Sequence, residues 1–258
     1  MKVEEIIKTR DLTTSFGSFK AVDGVSLSVE KGTVTGLIGP NGAGKSTLFN
    51  TLTGIYRPTG GDVYFNGKRT TNLSPDKLFH KGMAHTFQIP KPFPKMTVME
   101  NLMLVPTGQV GEFLFAPILM AGKVRRQEQV IQEKALEILR FMTLAQLADH
   151  PAGELSGGQM KLLELARVLM GNPNVILLDE PAAGVNPALT EVLVEKIQEL
   201  NSRGHTFFII EHNMDFIMSY CDPIIAMVSG RVIFEGNEAD ARSDPRLVDA
   251  YLGDLAHE

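Results

Sequence analysis

The chain has one cysteine, Cys221, among its 258 residues. A single thiol excludes an internal disulfide, and its isolation argues against a cysteine metal cluster. Flanked by Tyr220 and Asp222, it reads as a small packing residue rather than a nucleophile. Long apolar runs are also missing. No stretch approaches the roughly 18 apolar residues of a membrane-spanning helix. The longest, Phe113–Ala121, contains Pro117. Met1–Arg10 is charged and lacks the apolar core of a secretory leader. The chain is therefore expected to be soluble by itself and to reach a membrane only through partners. No excess of basic residues occurs: 25 Lys and Arg stand against 30 Asp and Glu, a net charge of −5. Composition does not point to a nucleic-acid face. Internal repeats, low-complexity tracts and sustained heptads are absent as well.

What is present is a chain that is 43% hydrophobic, long enough for one large domain or a domain with a subdomain. The first ~70 residues read as strands and short turns. Val25–Val29 alternates as a strand and Gly32 turns the chain. Val34–Ile38 is a short apolar strand entering a glycine-rich loop, with a helix expected from about Lys45. Asp62–Phe65 is a strand closed by the turn pair Asn66-Gly67. Ser74-Pro75 opens a helix that Gly82 ends.

The character then changes. Ile89–Lys95 is proline-rich and reads as a connector. Thr97 and Glu100 fit a capping box. Lys123–Phe141 has helical periodicity through Val130, Ile131, Ala135, Leu136, Ile138 and Leu139. Ser156 caps a further helix ending at Gly171. Residues 89–172 are thus expected to be a helical subdomain inserted into an α/β core formed by 1–88 and 173–258. The core resumes with the wholly apolar strand Val175–Leu178, as in a parallel sheet covered on both faces. A helix over Pro187–Arg203, a strand over His205–Ile210, a helix over Asn213–Tyr220, strands over Ile224–Val228 and Arg231–Glu235, and a helix over Arg242–Leu252 complete it.

Three motifs carry chemistry. Gly39-Pro40-Asn41-Gly42-Ala43-Gly44-Lys45-Ser46 fits the phosphate-binding-loop pattern. Its glycines let successive backbone N–H groups turn toward phosphate oxygens, and the following helix adds its partial positive charge. Lys45 would neutralise β- and γ-phosphates, and the Ser46 hydroxyl would ligate Mg2+. The second motif, Val175–Glu180, places two acids at the carboxyl end of a buried strand, where α/β sheets bind ligands. Asp179 would hold Mg2+ and Glu180 would polarise the attacking water. The third, Leu155-Ser156-Gly157-Gly158-Gln159, is another glycine-rich helix start competent to bind an anion. One nucleotide does not need two such sites on one chain; a two-fold head-to-tail dimer would use both.

With these motifs in this order, nearly the whole chain resembles the ABC ATPase family. The resemblance implies a P-loop NTPase core with an N-terminal antiparallel β subdomain and an inserted helical subdomain. It implies ATP and Mg2+ as cofactors. It implies that Phe16 stacks on adenine, that Gly39, Pro40, Asn41, Gly42, Ala43, Gly44, Lys45, Ser46 and Thr47 bind the nucleotide, and that Leu155–Gln159 contacts ATP across a dimer. It adds Gln88 as a loop glutamine that touches Mg2+, beside Ser46 and Asp179, and His212 as the switch histidine that contacts the γ-phosphate, beside Glu180. Segment Ala182–Pro187 departs from the family pattern: Asn186 stands where a carboxylate is usual.

A narrower resemblance, through Pro181–Pro187, Ala84–Gln88, Met96–Leu104, Glu211–Asp215 and the tail Asp244–Gly253 followed by Ala256-His257-Glu258, is to the ATPases of branched-chain amino-acid importers. That branch implies membrane permease subunits, a second identical or paralogous ATPase, a periplasmic or extracellular substrate-binding protein, and a peripheral place on the cytoplasmic face of the cell membrane. Neighbouring branches serve urea or amide import and lipopolysaccharide export. Soluble ABC ATPases of DNA repair or translation carry coiled coils or two cassettes, neither of which is present. A regulatory cassette would show damage at Lys45, Asp179 or Glu180, and all are intact. The connector from Gln88 to Met96 and the apolar Phe113–Ala121 are expected contacts of a permease.

Overall fold

A computed structural model describes residues 4–86, 92–108 and 121–247. Gln88 and residues 113–120 lie outside the described residues.

The described chain divides into two compact units. The first contains Met1–Gln88, Pro173–Ala183 and Ile197–Glu258. Its antiparallel sheet is built from β1 (Glu5–Phe16), β2 (Phe19–Val25), β3 (Ser28–Glu30), β5 (Gly60–Phe65) and β6 (Lys68–Arg69), in the order β2-β1-β5-β6 with β3 also on β1. The expected strand over Val25–Val29 is two strands instead: β2 and β3 pair with different stretches of β1, and the chain breaks between them. Alternation of apolar residues persists across that break, which is why pattern alone joined them. Asn66 (φ 49°) and Gly67 (φ 69°) form the tight turn from β5 to β6, as their residue types demand.

The second sheet of this unit carries the site. It contains β4 (Val34–Ile38), β7 (Met83–His85), β8 (Val175–Asp179), β9 (Thr206–Ile210), β10 (Ile224–Val228) and β11 (Arg231–Gly236). Their order is β11-β10-β4-β9-β8-β7; β11 runs antiparallel to β10 and the other pairs are parallel. Every residue of β8 and β9 is buried. Apolar side chains on both sides of the pleat are what a doubly covered parallel strand needs. One face of this sheet, through Leu37, Leu177, Phe208 and Ile210, joins a core with Leu48, Phe49 and Leu52 of α1 (Lys45–Leu52) and Ile7, Val63 and Phe65 of the antiparallel sheet. The Phe49 and Phe208 rings lie 4.8 Å apart and are fully buried, each contributing about 2 kcal/mol of burial. A buried hydroxyl pair, Thr14 to Thr51 at 2.9 Å, fixes β1 to α1.

Helix α2 (Pro75–His80) begins at a proline whose missing N–H costs nothing there, and Gly82 (φ 94°) follows its end. The second unit contains Ile89–Asn172 and Gly184–Lys196. Within it α3 (Val98–Met103) starts at a complete capping box: Thr97 accepts from the Glu100 N–H at 3.1 Å, and Glu100 accepts from the Thr97 N–H at 2.8 Å. Helix α4 (Ala121–Phe141) buries Ile131, Ala135 and Leu139 at four-residue steps. Val130, expected on the same stripe, is 59% exposed, since a helix of 3.6 residues per turn rotates it off that face. Helix α5 (Gly157–Leu169) follows Ser156, and α6 (Pro187–Ser202) ends ahead of Gly204 (φ 97°).

Two helices close the first unit, α7 (Met214–Tyr220) and α8 (Glu238–Ser243). The expected helix over Arg242–Leu252 lies partly outside the described residues: Arg242 and Ser243 end α8, and 245–247 are helical again up to the last described residue. Asn237 caps α8 by accepting from the Asp240 N–H, and the helix stops at Asp244, which Pro245 holds extended (φ −77°, ψ 115°). Residues beyond 247 lie outside the described part. Cys221 is 4% exposed, and burial pushes its thiol up to about 12, so it packs rather than reacts.

Candidate nucleotide site

Three neighbouring strands, β4, β9 and β8, point their carboxyl ends to one edge of the parallel sheet. Each hands over to a polar segment there: Gly39–Ser46 after β4, Glu211-His212 after β9, and Glu180 after β8. Parallel sheets place ligand sites at this edge because loops and helix N-termini converge on it. A cavity of about 350 Å³ opens at this point. Its lining includes Asn41, Gly42, Lys45, Ser46, Glu180 and His212.

The loop conformation requires its glycines. A Cβ on Gly44 would sit 2.1 Å from the Ala21 carbonyl oxygen, and one on Gly39 would sit 2.1 Å from that of Met227. Both contacts are to backbone, which cannot step aside. Gly44 (φ 96°) precedes α1 without any side-chain cap, so the first turn offers bare N–H groups. Lys45 then places a cation at the positive end of that helix, which makes an anion a favoured ligand there. Its side chain is buried (5% exposed), and Nζ donates to the carbonyls of Gly39 at 2.6 Å and Pro40 at 3.0 Å. Ser46 is exposed at the mouth of the loop.

Opposite the loop, His212 Nε2 and Glu180 Oε1 approach to 2.5 Å. Glu180 occupies the left-handed backbone region (φ 50°), which turns its side chain out of the strand alternation. Asp179 remains in the strand and is 6% exposed. The two adjacent acids thus occupy separate environments.

Sequence reasoning did not single out Phe19, Ala21 or Glu211 as parts of this region. Phe19 and Ala21 line the cavity. Phe16 does not; it stands paired with Phe19 across the β1–β2 hairpin, half exposed, its ring edge-to-face with Tyr56 at 5.3 Å. Glu211 is buried, accepting from the N–H groups of Ala182 at 2.8 Å and His212 at 3.1 Å. Only its place between an apolar strand and a histidine could have marked it.

In the second unit the glycine-rich helix start has its own logic. Ser156 accepts from the Gln159 N–H at 3.4 Å and Gln159 accepts from the Ser156 N–H at 2.9 Å, a closed capping box. A Cβ on Gly158 would fall 2.5 Å from Leu189 Cδ1 and 3.1 Å from Val185 Cγ1. Gly158 therefore serves helix packing, while among the described residues a Cβ on Gly157 would meet just the Gly184 carbonyl oxygen, at 3.7 Å. Asn186 accepts from the Leu189 N–H at 2.9 Å and so caps α6. Its amide oxygen does there what a carboxylate oxygen would do.

A family profile described as ABC transporter matches residues 22–183. A protein of Methanocaldococcus jannaschii named "Probable branched-chain amino acid transport ATP-binding protein LivG" is 45% identical, covering 97% of this chain and 98% of its own. A crystal structure of an ATP-binding cassette of an ABC transporter in its ADP conformation superposes with a TM-score of 0.82 at 44% identity, over 96% of this chain and 99% of the other. A dimeric ATP-binding cassette in a post-hydrolysis state, bound to ADP and phosphate, superposes with a TM-score of 0.74 at 26% identity, over 90% and 99% of the two chains.

Proposed function

The chain belongs to the ABC transporter family, and from that premise we propose that it is the ATP-hydrolysing subunit of an importer of branched-chain or related amino acids. The observation that carries the hydrolytic part is the meeting of Glu180 and His212 at the mouth of the loop that Lys45 closes. The importer part rests on the likeness to the archaeal relative, which extends over nearly the full length of both chains.

ATP enters as an anion seeking the uncapped N–H groups of α1. Lys45 exchanges the carbonyls of Gly39 and Pro40 for phosphate oxygens, and the loop backbone donates to the remaining ones. Glu180 orients a water against the γ-phosphorus and accepts its proton at a carboxylate oxygen, His212 Nε2 donates to a γ-phosphate oxygen, and the bond from the γ-phosphorus to the bridging oxygen breaks so that ADP leaves with that oxygen. Catalysis is positioning and charge stabilisation by these groups. Ser46 and Asp179 present a hydroxyl and a carboxylate, the hard oxygen donors that Mg2+ takes, and Gln88 is the third proposed ligand. Among the described residues no group of three or more His, Cys, Asp or Glu forms a metal cage. That suits an ion that draws most of its ligands from phosphate and water. Mg2+, when bound, supplies neutralisation of phosphate charge.

Phe16 and Phe19 share a hairpin end beside the loop, and either ring offers an adenine a stacking face. Leu155–Gln159 supplies the second anion site to the loop of a partner cassette; the dimeric relative with ADP and phosphate supports this pairing. Among the described residues no helix is long and apolar enough to cross a membrane. The chain's likeness to transporter ATP-binding proteins supports permease subunits, a second cassette and an external substrate-binding protein as partners, with this chain on the cytoplasmic face. The test is Glu180→Gln in the transporter isolated through a tag on this chain. ATP binding persists and phosphate release falls by at least ~100-fold. Unchanged turnover, or the absence of permease subunits from the isolate, sinks the proposal.

A further inference from the structure

Glu211 is a charged side chain in a buried place (3% exposed), immediately before the histidine of the site. Its two oxygens serve different segments. Oε1 accepts the N–H of Ala182, two residues after Glu180, and Oε2 accepts the N–H of His212. The Asn213 N–H also favours its charged form, although burial raises its pKa overall and the Glu180 charge adds to that rise. Backbone closes the same figure from the other side, where the Glu180 N–H donates to the Ile210 carbonyl at 2.9 Å. The segments carrying Glu180 and His212 leave adjacent paired strands whose ladder runs to Asp179 and Ile210, and beyond it the Glu211 side chain ties one segment to the other. A carboxylate that accepts from both is a direct tie, because each N–H loses this acceptor if the carboxylate moves.

Resting on the hydrolytic reading above, we infer that Glu211 is a positioning residue that binds the segments of Glu180 and His212 into one body, so that both groups meet the γ-phosphate together. It is buried and does not line the cavity. Its effect falls on the alignment of the chemical step and not on the phosphate loop, where ATP gains its affinity.

The experiment compares Glu211→Gln, Glu211→Asp and Glu180→Gln in the transporter isolated through this chain, with kcat, KM for ATP and melting temperature measured for each. Gln keeps the shape but sets an amide N–H2 against one backbone N–H. A displacement of about 1 Å costs about 100-fold in rate, so a partial loss of the tie is expected to lower kcat by about 10- to 100-fold. KM for ATP stays within about threefold, because the loop is untouched. Asp keeps the charge one methylene further back, and its kcat falls between wild type and Gln. Should the Gln variant fail to fold, the Asp variant carries the same kcat-against-KM test. A lower melting temperature with wild-type kcat, or equal losses in kcat and ATP binding, overturns the inference. Glu180→Gln inactive beside a fully active Glu211→Gln overturns this inference alone. Full turnover by Glu180→Gln overturns the hydrolytic reading and this inference with it.

Discussion

Replacing Lys45 by Ala separates two things the same ammonium does. Without nucleotide, Nζ donates to Gly39 and Pro40, neutral carbonyls at the rim of the loop. Losing those bonds costs about 1 kcal/mol, so the empty variant stays folded. With nucleotide, the same group meets phosphate charge, and hydrogen bonds between charged groups contribute about 1.5–3 kcal/mol. The dissociation constant for ATP is therefore expected to rise by about 10- to 150-fold, and a rise of about 100-fold, toward the upper end, serves for the arithmetic that follows. At ATP equal to 100 times the wild-type constant, ligand stabilisation is about 2.7 kcal/mol for the wild type and about 0.4 kcal/mol for the variant. In a domain of this size those values correspond to melting shifts of about 5–10 °C and about 1 °C. Thermal unfolding with and without Mg-ATP reads both, and titration with a fluorescent ATP analogue reads the constant directly. An affinity within threefold of wild type, with the full melting shift retained, refutes the assignment of Lys45 to the phosphates.

Asn186→Ala removes the acceptor that caps α6 and is expected to destabilise the chain by about 1 kcal/mol in urea unfolding, whereas Asn186→Asp keeps the cap and the stability. Burial holds His85, packed edge-on to Phe49, neutral down to about 4 from an ordinary 6.5. Between those values the unfolded chain takes up a proton that the native state refuses. Stability thus falls as pH is lowered through that window, by about 2 kcal/mol from pH 7 to pH 5. Urea midpoints at the two pH values check this, and the dependence should flatten by that amount in His85→Phe.

The parts of the fold that sequence made legible are those set by neighbours along the chain. Val34–Ile38 and Ile224–Val228 appear with the bounds expected of them. The capping boxes at Thr97 and Ser156 close as their three-residue spacing demands. The phosphate loop was legible because its conformation depends on glycines within eight residues. What escaped depends on distant partners. The break between Val25 and Ser28 exists because two stretches of β1 compete for the chain. Nothing local orders β10, β4, β9 and β8 side by side, although that order is what brings Gly39, Glu180 and Glu211 to one edge. Glu211 itself looks like an ordinary strand-end acid until the Ala182 N–H, 29 residues away, is seen to donate to it.

The left-handed backbone at Glu180 has an evolutionary consequence. Such a conformation costs an ordinary residue about 1 kcal/mol or more, and glycine would adopt it freely. Glycine at 180 would then relax the backbone and discard the proposed proton acceptor in one change. A search for hardier forms of this protein that scores folding alone is therefore drawn toward inactive ones at this position. Only selection for turnover keeps a carboxylate where the backbone would rather have no side chain at all.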